Sequence, residues 1–150
     1  LSDRGIAKIS GPFVAMGYLD INGFHPFNSS FVTTDIIEFD ETGALKFKGR
    51  SDDVIVRSGI NIEPYEIENL IRNKCDIDDF CVCGVEDERL GQKLVFVASK
   101  NYSSLEKEIQ TIMSCKSQKI KIDTFHYDIE IPKTSTGKIK RSVLISKLEK

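Results

Sequence analysis

The sequence predicts an α+β fold: a small all-β lobe over residues 1–51, followed by a small α+β domain over 52–150 whose short sheet is flanked by helices. Three observations carry this. The first fifty or so residues are broken by turn formers into short apolar runs without helical periodicity. After Arg50 the pattern changes to strand and helix signals in the order β-β-α-β-β-α-β-α. The chain has 150 residues, 40% of them hydrophobic and 29% charged, which is enough to bury a core.

In the first lobe, Gly5, Gly11-Pro12, Gly17, Asn22-Gly23, Pro26 and Gly43 punctuate runs such as Phe13-Val14-Ala15-Met16 and Phe31-Val32. Glu41-Thr42-Gly43 separates Ile36–Phe39 from Leu45–Lys48, and each flank alternates its faces, so a β-hairpin is expected there. In the second part, Val54-Ile55-Val56 and Ile60-Asn61-Ile62 flank Ser58-Gly59 as another hairpin. Pro64 then opens a helix, with Glu63, Glu66 and Glu68 as charges near its positive end and Ile67, Leu70 and Ile71 as its buried stripe. Strands follow over Asp79–Val85 and Lys93–Ser99, with a turn over Glu86–Gly91 between them. A helix over about Ser104–Cys115 buries Leu105, Ile109, Ile112 and Met113. Thr124–Ile131 reads as a strand, and Val143, Leu144 and Leu148 mark a terminal helix.

Composition narrows the function classes. With 21 basic and 23 acidic side chains the net charge is −2, which gives no general attraction for nucleic acid. No apolar run approaches the roughly 20 residues of a membrane-spanning helix, and the first residues lack the pattern of a signal peptide. A soluble cytoplasmic protein is expected. The four cysteines, Cys75, Cys81, Cys83 and Cys115, form neither a disulfide framework nor a C-x-x-C pair; Cys81 and Cys83 read as small buried hydrophobes on a strand. With two histidines in the chain, no metal site is expected.

Two segments carry chemistry. Pro132-Lys133-Thr134-Ser135-Thr136-Gly137-Lys138-Ile139-Lys140-Arg141 sets Lys138 in a Gly-containing loop where an ammonium can meet a phosphate or carboxylate. It is not a Walker loop, because Ile139 stands where Ser or Thr is required and no glycine lies five residues before Gly137. Far upstream is Gly49-Arg50-Ser51-Asp52-Asp53-Val54-Ile55-Val56-Arg57-Ser58-Gly59-Ile60-Asn61-Ile62-Glu63-Pro64-Tyr65-Glu66-Ile67-Glu68.

With these two, Gly11–Tyr18, Thr33-Thr34-Asp35 and Val82–Gln92 complete a set of five motifs whose order and spacing resemble the C-terminal portion of the adenylate-forming (AMP-dependent) synthetases and ligases, acyl-CoA synthetase type. Thr34 stands where that family carries glycine, and Asn61 where many members carry a basic residue. The resemblance implies that 1–51 is the β subdomain ending a large N-terminal adenylation domain and that 52–150 is a small mobile domain. It implies an ATP-dependent acid–thiol ligase using ATP, Mg2+ and CoA, which activates a carboxylic acid (a long-chain fatty acid, or an aromatic acid such as o-succinylbenzoate) as acyl-AMP. Lys138 would be the catalytic ammonium, Asp35 and Arg50 the ribose contacts, Asp52 the hinge, and Ser58-Gly59 the turn that approaches the pantetheine arm. The family's Gly-rich triphosphate loop and acyl pocket have no counterpart in the sequence, so the isolated chain is expected to be inactive without the N-terminal domain. Two alternatives stay open at this point: an adenylation domain that loads a carrier protein, and a non-catalytic nucleotide-sensing or interaction domain on the same scaffold.

Overall fold

The structure, a computed structural model, describes residues 5–116 and 120–149. The chain divides into two compact units, Leu1–Asp52 and Asp53–Lys150.

In Leu1–Asp52, β1 (Ile6–Ser10), β4 (Ser30–Phe39) and β5 (Leu45–Arg50) form an antiparallel sheet in the order β1-β4-β5. β2 (Gly17–Asp20) and β3 (Gly23–Pro26) pair separately. The hairpin expected around Gly43 joins β4 to β5: Asp40 accepts from Thr42 and Ala44 N–H groups through Oδ1, and Gly43 takes φ +82° to close the turn. No helix occurs among the described residues of this unit. Phe13-Val14-Ala15-Met16 is not a strand; it is a turn that leaves Phe13 fully exposed.

In Asp53–Lys150, β8 (Phe80–Asp87) and β9 (Gly91–Ala98) form the long central ladder. β10 (Thr124–His126) lies parallel to β9, and the β6 (Ile55–Arg57)–β7 (Ile60–Ile62) hairpin joins the start of β9 at Arg57–Gly91. Three helices, α1 (Pro64–Arg72), α2 (Glu106–Lys116, after a 3-10 turn at Ser103–Leu105) and α3 (Arg141–Leu148), are described. Alternation along the strands sorts their side chains into two cores. Phe80 and Val82 of β8, with Leu94, Phe96 and Ala98 of β9, pack with Ile67 and Ile71 of α1 and Ile109, Ile112 and Met113 of α2. Cys81, Cys83, Val85, Val95 and Val97 face the other way, onto Ile131 and Leu144 of α3. Both faces of the sheet are covered, which is why β8 and β9 read as nearly unbroken apolar runs. Leu144 is wholly buried, and a fully buried Leu contributes about 1.5–3 kcal/mol, which anchors the short α3.

Two expectations need correction. The strands on either side of the Glu86–Gly91 turn run further than expected, to Asp87 and from Gly91, because Asp87 Oδ1 accepts from the Arg89 and Leu90 N–H groups and closes a tighter loop. The strand expected over Thr124–Ile131 stops at His126. Asp128 takes φ +56°, a conformation that breaks a strand, and the break turns the following residues to the opposite face. Phe125 and Tyr127 therefore pack on the first core, whereas Ile129 and Ile131 pack on the second.

Candidate active-site elements

The lysine loop is a small self-braced hairpin. Lys133 and Ile139 form an antiparallel bridge. Thr134 N–H donates to Lys138 O at 2.8 Å, Gly137 N–H to Thr134 O at 2.9 Å, and Lys140 N–H to Pro132 O at 2.8 Å. Thr134 Oγ1 accepts from Lys138 N–H at 3.0 Å and lies 2.9 Å from Thr136 Oγ1, so the two threonines of the motif shape the turn from within. Gly137, at φ +82°, occupies the left-handed position that a β-carbon would strain. Lys138 follows it and is exposed. Ile131 and Ile139, on either side, hold the loop to the second core.

Three ion pairs sit at its base. Lys133 Nζ meets Asp79 Oδ1, and this ammonium holds the Asp79 carboxyl below its usual value. Arg141 donates from Nη1 to Asp53 Oδ2 at 2.9 Å and from Nη2 to Glu68 Oε1 at 2.6 Å; the same Glu68 oxygen accepts the Val82 N–H at 2.9 Å. Burial alone would weaken the Arg141 charge, but Glu68 and then Asp53 outweigh it and its pKa rises. Glu68, expected from sequence as a helix-start charge, is 3% exposed and paired with Arg141.

Ser58 and Gly59, at φ +50° and +77°, form the two-residue turn joining β6 to β7. The positive φ of Gly59 is what favours glycine, and beyond its chain neighbours no atom comes within 4 Å of the place a β-carbon would occupy, so the space above the turn is open. The hairpin is tied to the start of β9 by three contacts: Ser58 N–H donates to Leu90 O at 2.7 Å, Val56 N–H to Gln92 Oε1 at 2.8 Å, and Arg57 pairs with Gly91 in the sheet. Below it, Arg57 Nε and Nη2 both reach Asp123 at 2.9 Å. Asp123 also accepts the Leu94 N–H at 2.8 Å. Burial raises the Asp123 pKa, but Arg57 and the Leu94 N–H together overcome that, and the carboxyl titrates below its usual value.

The lysine loop and the Ser58-Gly59 turn attach to opposite ends of one ladder. Lys133 grips Asp79, just before β8, whereas Ser58 is held by Leu90, just past its other end. Eight residues of strand between them span roughly 25 Å.

In Leu1–Asp52, Asp35 and Arg50 are direct cross-strand partners on β4 and β5, with Arg50 Nη1 3.7 Å from Asp35 Oδ1. Arg50 also grips Asp52 in a two-point fork, Nε to Oδ1 at 2.9 Å and Nη2 to Oδ2 at 2.7 Å, which holds the Asp52 carboxyl below its usual value. All three side chains are about half exposed. Thr34 sits in regular strand, accepting the Ser51 N–H at 2.7 Å, and is absent from the described non-glycine residues at positive φ. The backbone there does not require the glycine whose place Thr34 takes.

Cys81 and Cys83 lie within the second core, where burial pushes both thiols up, Cys83 to about 12. Among the described residues no group of three or more His, Cys, Asp or Glu could hold a metal ion, and no helix is long and apolar enough to cross a membrane. The Arg57–Asp123 and Glu68–Arg141–Asp53 pairs escaped the sequence reading. Glu68 carried a usable signal: Pro64, Ile67, Glu68 and Ile71 fall on one helix stripe, and a carboxylate on a buried stripe needs a partner.

The two-residue turn, the mixed sheet and the lysine loop lie together in Asp53–Lys150. Comparison with known proteins supplies the class. No family model matches the chain. It is 33% identical over 149 residues to a medium-chain fatty-acid–CoA ligase of Escherichia coli, covering 89% of this chain and 25% of that protein. It is 34% identical over 147 residues to a 2-succinylbenzoate–CoA ligase of Staphylococcus aureus, covering 94% of this chain and 29% of that one. Among solved structures it superposes on a Mycobacterium tuberculosis fatty acyl CoA synthetase with a TM-score of 0.64 and 29% identity, over 81% of this chain and 24% of the other. The chain belongs to the adenylate-forming acyl-CoA synthetases and corresponds to a C-terminal portion of them, spanning about a quarter of the length of the relatives it matches.

Proposed function

We propose that the longer protein to which this portion corresponds is an ATP-dependent acid–thiol ligase. The carboxylate oxygen attacks the α-phosphorus of ATP and pyrophosphate leaves; the CoA sulfur then attacks the acyl carbon and AMP leaves. The acid is a fatty or an aromatic one, in keeping with relatives named as medium-chain fatty-acid and 2-succinylbenzoate ligases. Mg2+ would arrive with the ATP phosphates.

The first step brings two anions together, so it needs positive charge at the point of approach. Lys138, an exposed ammonium on a braced loop, is suited to bridge the carboxylate and the α-phosphate. Asp35 supplies a carboxylate that accepts from ribose hydroxyls, and the neighbouring Arg50 completes that contact. The second step calls for backbone that lies close to a narrow pantetheine arm, which the open Ser58-Gly59 turn allows. The observation that carries this reading is that the lysine loop and the Ser58-Gly59 turn are fastened at opposite ends of one ladder, at Asp79 and at Leu90, with roughly 25 Å of strand between those anchors: Lys138 and the turn serve one reaction centre in succession only if the unit swivels. Asp52, at the junction of the two units, is the hinge in this reading. Phe13, Met16, Leu19 and Ile21, all exposed, are apolar side chains that the remainder of the N-terminal adenylation domain would cover.

The test is ATP–pyrophosphate exchange in the full-length protein. Lys138→Ala should reduce exchange by about a hundredfold or more, the usual cost of removing a group that stabilises transition-state charge. Exchange equal to wild type would end the assignment.

A further inference from the structure

The bonds within the lysine loop set its shape, but its direction depends on how its base is held. Two ionic anchors do this, and they differ in weight. Lys133 and Asp79 are 40% and 34% exposed, a setting in which ion pairs contribute little. The side chain of Arg141, three residues after Lys138, is 17% exposed, that of Asp53 23% and that of Glu68 4%. In such a setting a missing partner leaves a charge stranded away from water. The guanidinium also reaches three separate pieces of the unit at once: Asp53 at its first residue, Glu68 on α1 and, through Glu68, the Val82 N–H on β8. Asp53 directly follows Asp52, the last residue of the other unit, where Arg50 of that same unit grips it. The backbone between these two clamped aspartates is the junction of the units.

We propose that Arg141 is a positioning residue for adenylation: it ties the lysine loop to the first residue of its unit, so that a turn at the Asp52–Asp53 junction is transmitted to Lys138 without slack. This rests on the reading of Lys138 given above. In this role Arg141 acts through the loop and not on substrate, and its planar fork is what lets one side chain hold two carboxylates at fixed angles. A lysine keeps the charge but not the geometry.

The experiment uses full-length protein carrying Arg141→Lys, Arg141→Met, Glu68→Gln or Lys138→Ala, each compared with wild type where its circular dichroism matches. Two half-reactions are followed: ATP–pyrophosphate exchange, with kcat and KM for ATP separated, and thioester formation from supplied acyl adenylate and CoA. Arg141→Lys should lower the exchange kcat about ten- to a hundredfold, the scale of a displacement near 1 Å, with KM for ATP and the thioester step unchanged. Glu68→Gln should show the same split more weakly. A matched fall in both half-reactions would mean a merely structural role and would overturn the proposal, as would unchanged exchange in Arg141→Lys. If Arg141→Met does not fold, the Lys and Gln variants decide. Loss in Lys138→Ala with none in Arg141→Lys defeats this proposal alone, whereas full exchange in Lys138→Ala defeats the reading beneath it.

Discussion

Leu1–Asp52 and Asp53–Lys150 use apolar side chains in opposite ways. Among the described residues, Ala7 is the one buried hydrophobic of the first unit, at 9% exposure; the second buries the rest, from Ile55 to Leu144. The exposed large hydrophobics are distributed the other way: Ile9, Phe13, Met16, Leu19, Ile21, Val32 and Phe39 all lie in the first unit, and among the described residues only Val56 and Val143 in the second. The second unit encloses two cores between its sheet and helices, whereas the first, a sheet and a hairpin, leaves most of its large apolar side chains exposed. Hydrophobic content alone does not make a domain; the apolar residues must also be given something to pack against.

Separating the units tests this most severely. Expressed alone, residues 53–150 should unfold in one cooperative transition by circular dichroism and calorimetry. Residues 1–52 alone should show no such transition, since three strands and a hairpin without a covered face are marginal in water. A cooperative melt of 1–52 would break the contrast.

The next effect lies inside the second unit. Arg57 and Asp123 are 10% and 13% exposed, and Arg57→Met strands Asp123. Removing one partner of such a pair costs about 3–5 kcal/mol, and for a domain of this size each kcal/mol lowers Tm by about 4–8 °C. The pH profile sharpens the test. Asp123 titrates below the ordinary 3.8 when folded, so its contribution is complete above 3.8 and is lost as the pH falls through the lower, folded value. In the variant, burial is opposed by the Leu94 N–H without Arg57, so this acid-side gain should shrink in denaturant titrations between about pH 2 and 5. An unchanged profile would show that Arg57 does not set the Asp123 titration.

How much of this was legible depended on whether neighbours in sequence or neighbours in space decide. The Ser58-Gly59 hairpin, the opening of α1 at Pro64 and the burial of Cys81 and Cys83 follow from local pattern, and the structure has them. The element order and the family were legible too, the latter through motifs and not through periodicity. The early end of β10 was not, because a single left-handed residue, Asp128, overrides an apolar alternation that would otherwise keep Phe125, Tyr127, Ile129 and Ile131 on one face. The carboxylates that Arg57 and Arg141 hold, Asp123, Glu68 and Asp53, lie 66 to 88 residues away, and no window along the chain pairs them. Glu68 shows the boundary: its place on the apolar stripe of α1 marks it as buried, but only the fold supplies Arg141.

The smallest effect is expected at the first unit's own arginine fork. Arg50 holds Asp52 with the same two-point geometry that Arg57 uses on Asp123, at 2.9 and 2.7 Å against 2.9 and 2.9 Å. Arg50 and Asp52, however, are 46% and 50% exposed. Water already solvates both charges there, so Asp52→Asn should change stability by no more than about 1 kcal/mol, and by less as salt is added. Chemical denaturation of full-length wild type and variant at low and high ionic strength would measure it. A loss as large as that of Arg57→Met would mean that exposure does not separate the two forks. A small loss gives the variant a second use: any fall in its overall turnover then comes from the junction at which Asp52 stands and not from unfolding.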